Sequence, residues 1–250
     1  MKRLWLVLFL SLTAMKLSAD TLYIAAASNL VYCIEGLNRQ FQQQYPQLNI
    51  KLTTGSSGNL FAQIQHDAPY ELFLSADTFY PQQLVNKQLA DANTLKVYAL
   101  GQIALWTNKS ELDIKKGLEL LKTTAIKRIV IANPDTAPYG MAAKLALQHK
   151  NVWNDVQKKL VFAENIAQTM QFVQTQNADI AVVAVSLLST PHIQNKGNYW
   201  LIPQSYYSPM AQAMVVTKRG QRNQWAYRYA RFLQSASAQQ ILQQHGFVRP

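Results

Sequence analysis

Gly55-Ser56-Ser57-Gly58-Asn59-Leu60-Phe61-Ala62-Gln63-Ile64-Gln65-His66 runs on through Asp67-Ala68-Pro69-Tyr70-Glu71 into Leu72-Phe73-Leu74-Ser75-Ala76-Asp77, and the reading of this stretch decides the fold. Small residues open it. A helix-like run occupies Asn59 to His66, Asp67-Ala68-Pro69 turns the chain, and Leu72 to Ser75 is an apolar strand. Another strand, Leu48 to Leu52, leads into the loop, so the segment reads as strand, loop, helix, strand. Two adjacent serines ahead of a helix supply hydroxyls that, with the first-turn N–H groups, make a seat for an anion. The loop has no lysine, so it is not the GxxxxGK[ST] nucleotide loop.

The same move occurs upstream. Thr21 to Ala27 is a strand that runs into small residues, and Ser28-Asn29 follow. An amphipathic helix then places Leu30, Ile34, Leu37 and Phe41 on one face, with Ser28 at its expected N-cap. Both serines would lie at the carboxyl ends of parallel strands, where open α/β sheets bind ligands.

Downstream, helices are expected over Phe79 to Ala90, around Leu118 to Leu121, and over Met141 to His149 and Ala167 to Gln176. Two more follow, over Asn223 to Leu233 and Ala236 to His245. Strands are expected over Leu100 to Trp106, Ile129 to Ala132, Leu160 to Phe162 and Ala213 to Val216. The segment Asp179 to Val185 is apolar enough for the middle of a parallel sheet. The βαβα pattern defines an α/β class. No repeat and no Pro/Gly-rich linker divides the chain, which suits two lobes joined by crossing strands.

Composition narrows the function. Met1-Lys2-Arg3, the apolar run Leu4 to Ala14 and Leu17-Ser18-Ala19 read as a secretory signal peptide whose core is too short to span a membrane. No cysteine stands at the cut, so a soluble exported protein beginning near Asp20 is expected. The 231 residues that remain make one large or two modest domains. Removing Lys2, Arg3 and Lys16 from the 24 basic residues leaves 21 against 13 acidic ones, and the net charge falls from +11 to +8. The basic residues are scattered without an Arg-rich aromatic stripe, so nucleic acid is not the expected partner. The lone Cys33 sits in an apolar run and reads as core.

Three junctions carry candidate donors: Ser28-Asn29, Ser56-Ser57 and Tyr139-Gly140; Asn165-Ile166 has the same shape. Aimed at one point, they would form a cradle of hydroxyls and N–H groups for a compact oxyanion, with no lysine or arginine in it.

On these residues the chain resembles the periplasmic molybdate-binding proteins of ABC importers, over nearly all of the expected mature sequence. The resemblance rests on Ala25-Ala26-Ala27-Ser28-Asn29, on GSSGNLFAQI with Ala68-Pro69-Tyr70 and Phe73-Leu74-Ser75-Ala76-Asp77, on Pro134 to Gly140, on Ala163-Glu164-Asn165-Ile166, and on Gln244-His245-Gly246-Phe247. It implies a type II periplasmic-binding-protein fold, in which each of two lobes is a mostly parallel sheet flanked by helices and two hinge crossings join them. The expected division is residues 1–19 as signal peptide, 20–101 with 214–250 as the first lobe, and 102–213 as the second. By position, Ser28 and Ser57 would give hydroxyls, with Asn29 and Ser56 close by, and Tyr139 and Ile166 would give backbone N–H groups. Some family members add a tyrosine hydroxyl from the strand that here reads Ala181 to Ala184. Ala184 stands at that place, and Asn29 is the expected substitute donor. Tyr206-Tyr207 are expected to line the hinge.

The resemblance also implies molybdate or tungstate as the transported ligand, with molybdenum present only as the bound oxyanion and no cofactor. Its partners would be an inner-membrane ABC permease with its cytoplasmic ATPase, and the protein would be a periplasmic monomer. Sulfate and phosphate are the neighbouring alternatives. A ferric-ion reading could use Tyr206-Tyr207 as phenolates, but the first-lobe loops offer no histidine or carboxylate. A serine-dependent enzyme would need a nucleophile–base signature, which His66, His149, His192 and His245 do not supply. The effector domain of a transcription regulator would lack the export signal and would bring a helix-turn-helix.

Overall fold

A computed structural model of the chain describes residues 20–189, 193 and 197–250. The expected signal peptide, residues 1–19, and His192 lie outside the described residues.

In chain order the strands are β1 (Thr21–Ala27), β2 (Asn49–Gly55), β3 (Leu72–Ser75), β4 (Lys96–Gly101), β5 (Ile103–Thr107), β6 (Ile129–Ala132), β7 (Leu160–Ala163), β8 (Ile180–Ala184), β9 (Asn198–Leu201) and β10 (Met210–Val216). The helices are α1 (Cys33–Gln44), α2 (Ser57–Gln65), α3 (Phe79–Asn86), α4 (Pro138–His149), α5 (Trp153–Val156), α6 (Ile166–Gln174), α7 (Val185–Leu188), α8 (Gln224–Phe232) and α9 (Ala236–Gln244).

The strands form two sheets, ordered β2-β1-β3-β10-β4 and β7-β6-β8-β5-β9. Each contains three parallel strands followed by an antiparallel pair. The two lobes therefore share one plan, as the α/β reading expects. In β1, Leu22, Ile24 and Ala26 pack with α1, α8 and α9, while Ala25 faces α2 on the other side of the sheet. This is the period of two that a strand imposes. Cys33 belongs to the first of these cores, and burial pushes its thiol up to about 12. The second lobe has its own core around β5, β6 and β8.

Several expectations need correcting. The apolar run Leu100 to Trp106 is two strands in different sheets: β4 ends at Gly101, β5 begins at Ile103, and the carbonyl of Gln102 between them accepts from Val185 N. The return strand is longer than the run from Ala213. β10 starts at Met210, paired with Gly101, and its register shifts between Gln212 and Ala213. That bulge breaks the alternation on which a strand is recognised. A division at 213/214 thus falls inside β10, and the return crossing precedes Met210, just after Pro209, which has no N–H to pair. Strand β8 is fully buried but mixed, parallel to β6 and antiparallel to β5.

Ser28 is not a helix N-cap. Ser28–Leu30 form a single 3-10 turn, and α1 begins at Cys33 with no side-chain cap. Its hydroxyl is therefore not spent on α1.

Candidate functional site

The carboxyl ends of β1, β2 and β3 in the first lobe meet the amino ends of α4 and α6 in the second. A small cavity of about 10 Å³ lies between them. Ser28, Asn29, Ser56, Ser57, Tyr139 and Ile166 all line it, so the structure brings all six candidates together. The cavity has room for about one water-sized body, which suits a single small ion and excludes a sugar or peptide. A far larger open groove, about 780 Å³, involves Tyr23, Glu71 and Arg219 at the opposite ends of the first-lobe strands. It lies away from these junctions, and Arg219 there is already paired with Asp67.

The donors follow from hydrogen-bond bookkeeping at the helix starts, because first-turn N–H groups have no intrahelical acceptor. In α2, Asn59 N donates to the Ser56 hydroxyl at 3.4 Å, Leu60 N to Ser56 O, and Gly58 N to Thr136 O of the other lobe at 2.8 Å. Ser57 N–H is left. In α4, Pro138 has no N–H, and Gly140 and Met141 both donate to Ala137 O. Tyr139 N–H is left. In α6, the Asn165 side chain caps Ala167 and Gln168 at 3.1 Å each, which leaves Ile166 N–H. Among the described residues these three groups have no partner, and all three belong to residues that line the cavity.

The serine hydroxyls are set in the same sense. Ser57 Oγ accepts from Ala76 N at 3.0 Å, Ser56 Oγ from Asn59 N, and Ser28 Oγ from Ala167 N across the cleft at 3.4 Å. A hydroxyl has one proton and two acceptor positions. With an acceptor position in use, each proton remains to be donated. Ser57 and Ser28 are 0% and 4% exposed. Gly140 fixes the approach of α4, since a Cβ there would stand 2.2 Å from Ala132 O at the end of β6.

Two side chains differ from expectation. Asn29 directs its Nδ2 hydrogens away from the cavity, to Tyr139 Oη at 3.2 Å and Gln212 Oε1 at 2.9 Å. Ala184 is buried at the end of β8 and offers only its backbone. Gln212, which sequence reasoning missed, is fully buried on β10. Its signal was a glutamine between apolar neighbours on a returning strand. Tyr206 and Tyr207 diverge. The Tyr207 hydroxyl accepts from Ile103 N at the hinge, whereas the Tyr206 ring stacks on His149. They do not form a phenolate pair, and no group of three or more His, Cys, Asp or Glu could hold a metal among the described residues.

Among the described residues the cavity lining carries no acid, lysine, arginine or histidine, and its one ionisable side chain is Tyr139. Burial pushes that phenol well above the tyrosine range, Tyr207 adds to the shift, and the bond from Asn29 opposes it. The hydroxyl stays protonated. Two lobes on a double hinge, closed over a cage of neutral donors, define a solute-binding protein of the two-lobed extracellular class. Residues 22–248 match the family described as bacterial extracellular solute-binding protein, and the chain belongs to that family. It is 31% identical over 247 residues to the molybdate-binding protein ModA of Azotobacter vinelandii, covering 99% of this chain and 97% of the relative. It is also 31% identical over 235 residues to ModA of Rhodobacter capsulatus, covering 94% and 91%. The solved structure of the Azotobacter vinelandii periplasmic molybdate-binding protein superposes with a TM-score of 0.87 at 30% identity, covering 92% of this chain and 99% of that one.

Proposed function

We propose that the protein captures molybdate, and tungstate with little distinction, in the cavity between its lobes and delivers it to an ABC transporter. The single observation that carries this reading is the set of unpartnered N–H groups of Ser57, Tyr139 and Ile166 lining one small cavity with three serine hydroxyls. Such a cage offers donors and no cation. It suits an anion without a proton of its own, because a protonated oxygen would need an acceptor. Molybdate, tungstate and sulfate are fully ionised at neutral pH, whereas phosphate is partly protonated. Cavity size then separates molybdate from the smaller sulfate. Relatives named for molybdate binding support the choice.

The donors divide between lobes, with Ser28, Ser56 and Ser57 on the first and Tyr139 and Ile166 on the second. An anion bridging them binds the closed form better and shifts the population toward it. The partner is an inner-membrane permease with its ATPase, the location is the periplasm, and the protein works as a binding protein without catalysis or cofactor. Among the described residues no helix is long and apolar enough to cross a membrane.

Calorimetry with molybdate, tungstate, sulfate and phosphate tests the assignment. One-to-one binding of the first two, far tighter than the last two, is expected. Sulfate or phosphate binding as tightly as molybdate overturns the substrate assignment.

A further inference from the structure

Asn29 sits one residue from a proposed anion-binding serine, yet its side chain is turned away from that task. Both Nδ2 hydrogens are taken, by Tyr139 Oη of the second lobe and Gln212 Oε1 of the returning strand. Gln212 in turn donates from Nε2 to Ala76 O at the end of β3 and to Met210 O where the return crossing enters β10. From the other lobe, the Ser186 hydroxyl donates to Asn29 O at 2.8 Å. The cluster reaches the outgoing crossing too: a Cβ on Gly101 would meet Tyr139 Oη at 2.3 Å and Gln212 Nε2 at 2.8 Å.

The arrangement is costly unless it has a purpose. Asn29 is 1% exposed, and its Oδ1 has no partner among the described residues. An unsatisfied buried carbonyl costs stability that an apolar residue of similar size would not. What the amide adds over leucine is its pair of donors, one directed across the cleft and one onto the hinge strand. Oδ1 is an acceptor and both Nδ2 hydrogens are engaged, so in this geometry the side chain holds no free donor for an anion.

We infer that Asn29, Tyr139 and Gln212 form a strut that exists only when the lobes are closed, holds the first turn of α4 against the hinge, and so couples hinge angle to the position of the Tyr139 N–H. The inference rests on the oxyanion reading of the cavity. The strut residues are positioning residues: Tyr139 touches the ligand through its backbone, and its hydroxyl acts through Asn29. Losing the strut favours the open form, so it speeds release more than it slows capture.

The test is a double-mutant cycle on molybdate affinity with Asn29→Ala, Tyr139→Phe and the pair. Tyr139→Phe keeps the N–H and the ring and removes only the hydroxyl. Each single change is expected to weaken binding about 3- to 30-fold through a faster off-rate, and the pair no more than the worse single change. Losses that multiply, or a Tyr139→Phe affinity within twofold of wild type, overturn the strut. If wild-type protein binds none of the four anions, the oxyanion reading falls and interlobe distances decide the strut separately. Spin labels at Gln65→Cys and Lys158→Cys report the angle, since Cys33 is buried. Without anion, the wild type should then show more of the short distance than Tyr139→Phe does, and identical distributions refute the strut.

Discussion

Replacing Gly58 by alanine puts a methyl group where the lobes touch. Gly58 lies in the first turn of α2, and its ideal Cβ would stand 2.7 Å from Thr136 O and 3.0 Å from Thr136 Cα of the opposite lobe. Ordinary contact begins near 3.4 Å, so closure must stop roughly 0.7 Å short at this point. The Gly58 N to Thr136 O bond of 2.8 Å then stretches to the limit of hydrogen-bonding range and is largely lost. That loss is worth about 0.5–1.5 kcal/mol, and the residual overlap about 1–3 kcal/mol. The sum is about 1.5–4.5 kcal/mol against the closed form alone, or a molybdate affinity lower by about 10- to 1,600-fold. Tyr80 Oη, 2.6 Å from the same Cβ, is the tip of a flexible side chain and can swing away, giving up its 3.4 Å bond to Asp135 O. The open form pays no such penalty, and alanine is a better helix former than glycine by about 1 kcal/mol. Calorimetry should therefore show the affinity loss while the Tm of anion-free protein holds or rises. Affinity within twofold of wild type would refute the claim that this closed geometry is the binding geometry. An affinity loss matched by a fall in Tm would point to general destabilisation instead.

Ser57→Ala removes a hydroxyl donor to the anion and is expected to cost about 1.5–3 kcal/mol of molybdate affinity by calorimetry. Ser56→Ala removes the cap of α2, so its effect should appear first as about 1 kcal/mol of stability, or roughly 2–4 °C in Tm. Equal affinity losses with no Tm change for Ser56→Ala would make Ser56 a ligand of the same rank as Ser57. Molybdate affinity should be flat from about pH 6 to pH 9, because the phenol of Tyr139 is the one ionisable side chain lining the cavity. Its raised pKa keeps it protonated past the ordinary tyrosine range, so any loss comes only at higher pH; a slope near neutrality would contradict this. The Cys33 thiol, pushed up to about 12 by burial, should resist iodoacetamide at pH 8 until denaturant unfolds the first lobe. Rapid native labelling would show that its core opens.

Most of the six candidates that line the cavity could be picked from sequence because helix starts leave a local signature. Ser56-Ser57, Pro138-Tyr139 and Asn165-Ile166 each declare a cap or first turn within a few residues, and caps dictate which N–H remains free. Ser28 misled for the same reason: a serine after a strand looks like a cap, and only the 3-10 turn at Ser28–Leu30 delays the helix to Cys33. The hinge was less legible. Within Leu100 to Trp106 only Gly101 and Gln102 interrupt the apolar residues, and a Gly-Gln pair does not by itself mark a change of sheet; that change depends on pairing with Met210 on one side and Ala184 on the other. Asn29's bonds to Tyr139 and Gln212 span 110 and 183 residues, and no local pattern encodes them.

The absence of a cation from the cavity of so basic a chain has a physical logic. Scattered surface charge raises the local concentration of anions and speeds their arrival, but it acts on sulfate, phosphate and molybdate alike. A lysine in the cavity would extend that indifference to the bound state, since a flexible point charge favours any anion. Fixed N–H vectors behave differently. Ser57, Tyr139 and Ile166 are held by caps and by close packing such as that of Gly140 on β6, so their donors stay fixed at the one cavity they line. Release follows from the same design. On the proposed oxyanion reading, opening would remove the Tyr139 and Ile166 donors together and break the strut through Asn29, leaving the anion with the half-cage of the first lobe. A cavity built around a lysine on one lobe would keep its strongest contact through opening. Dividing neutral donors between two lobes makes affinity a property of the closed state, so that moving the hinge is sufficient to let the anion go.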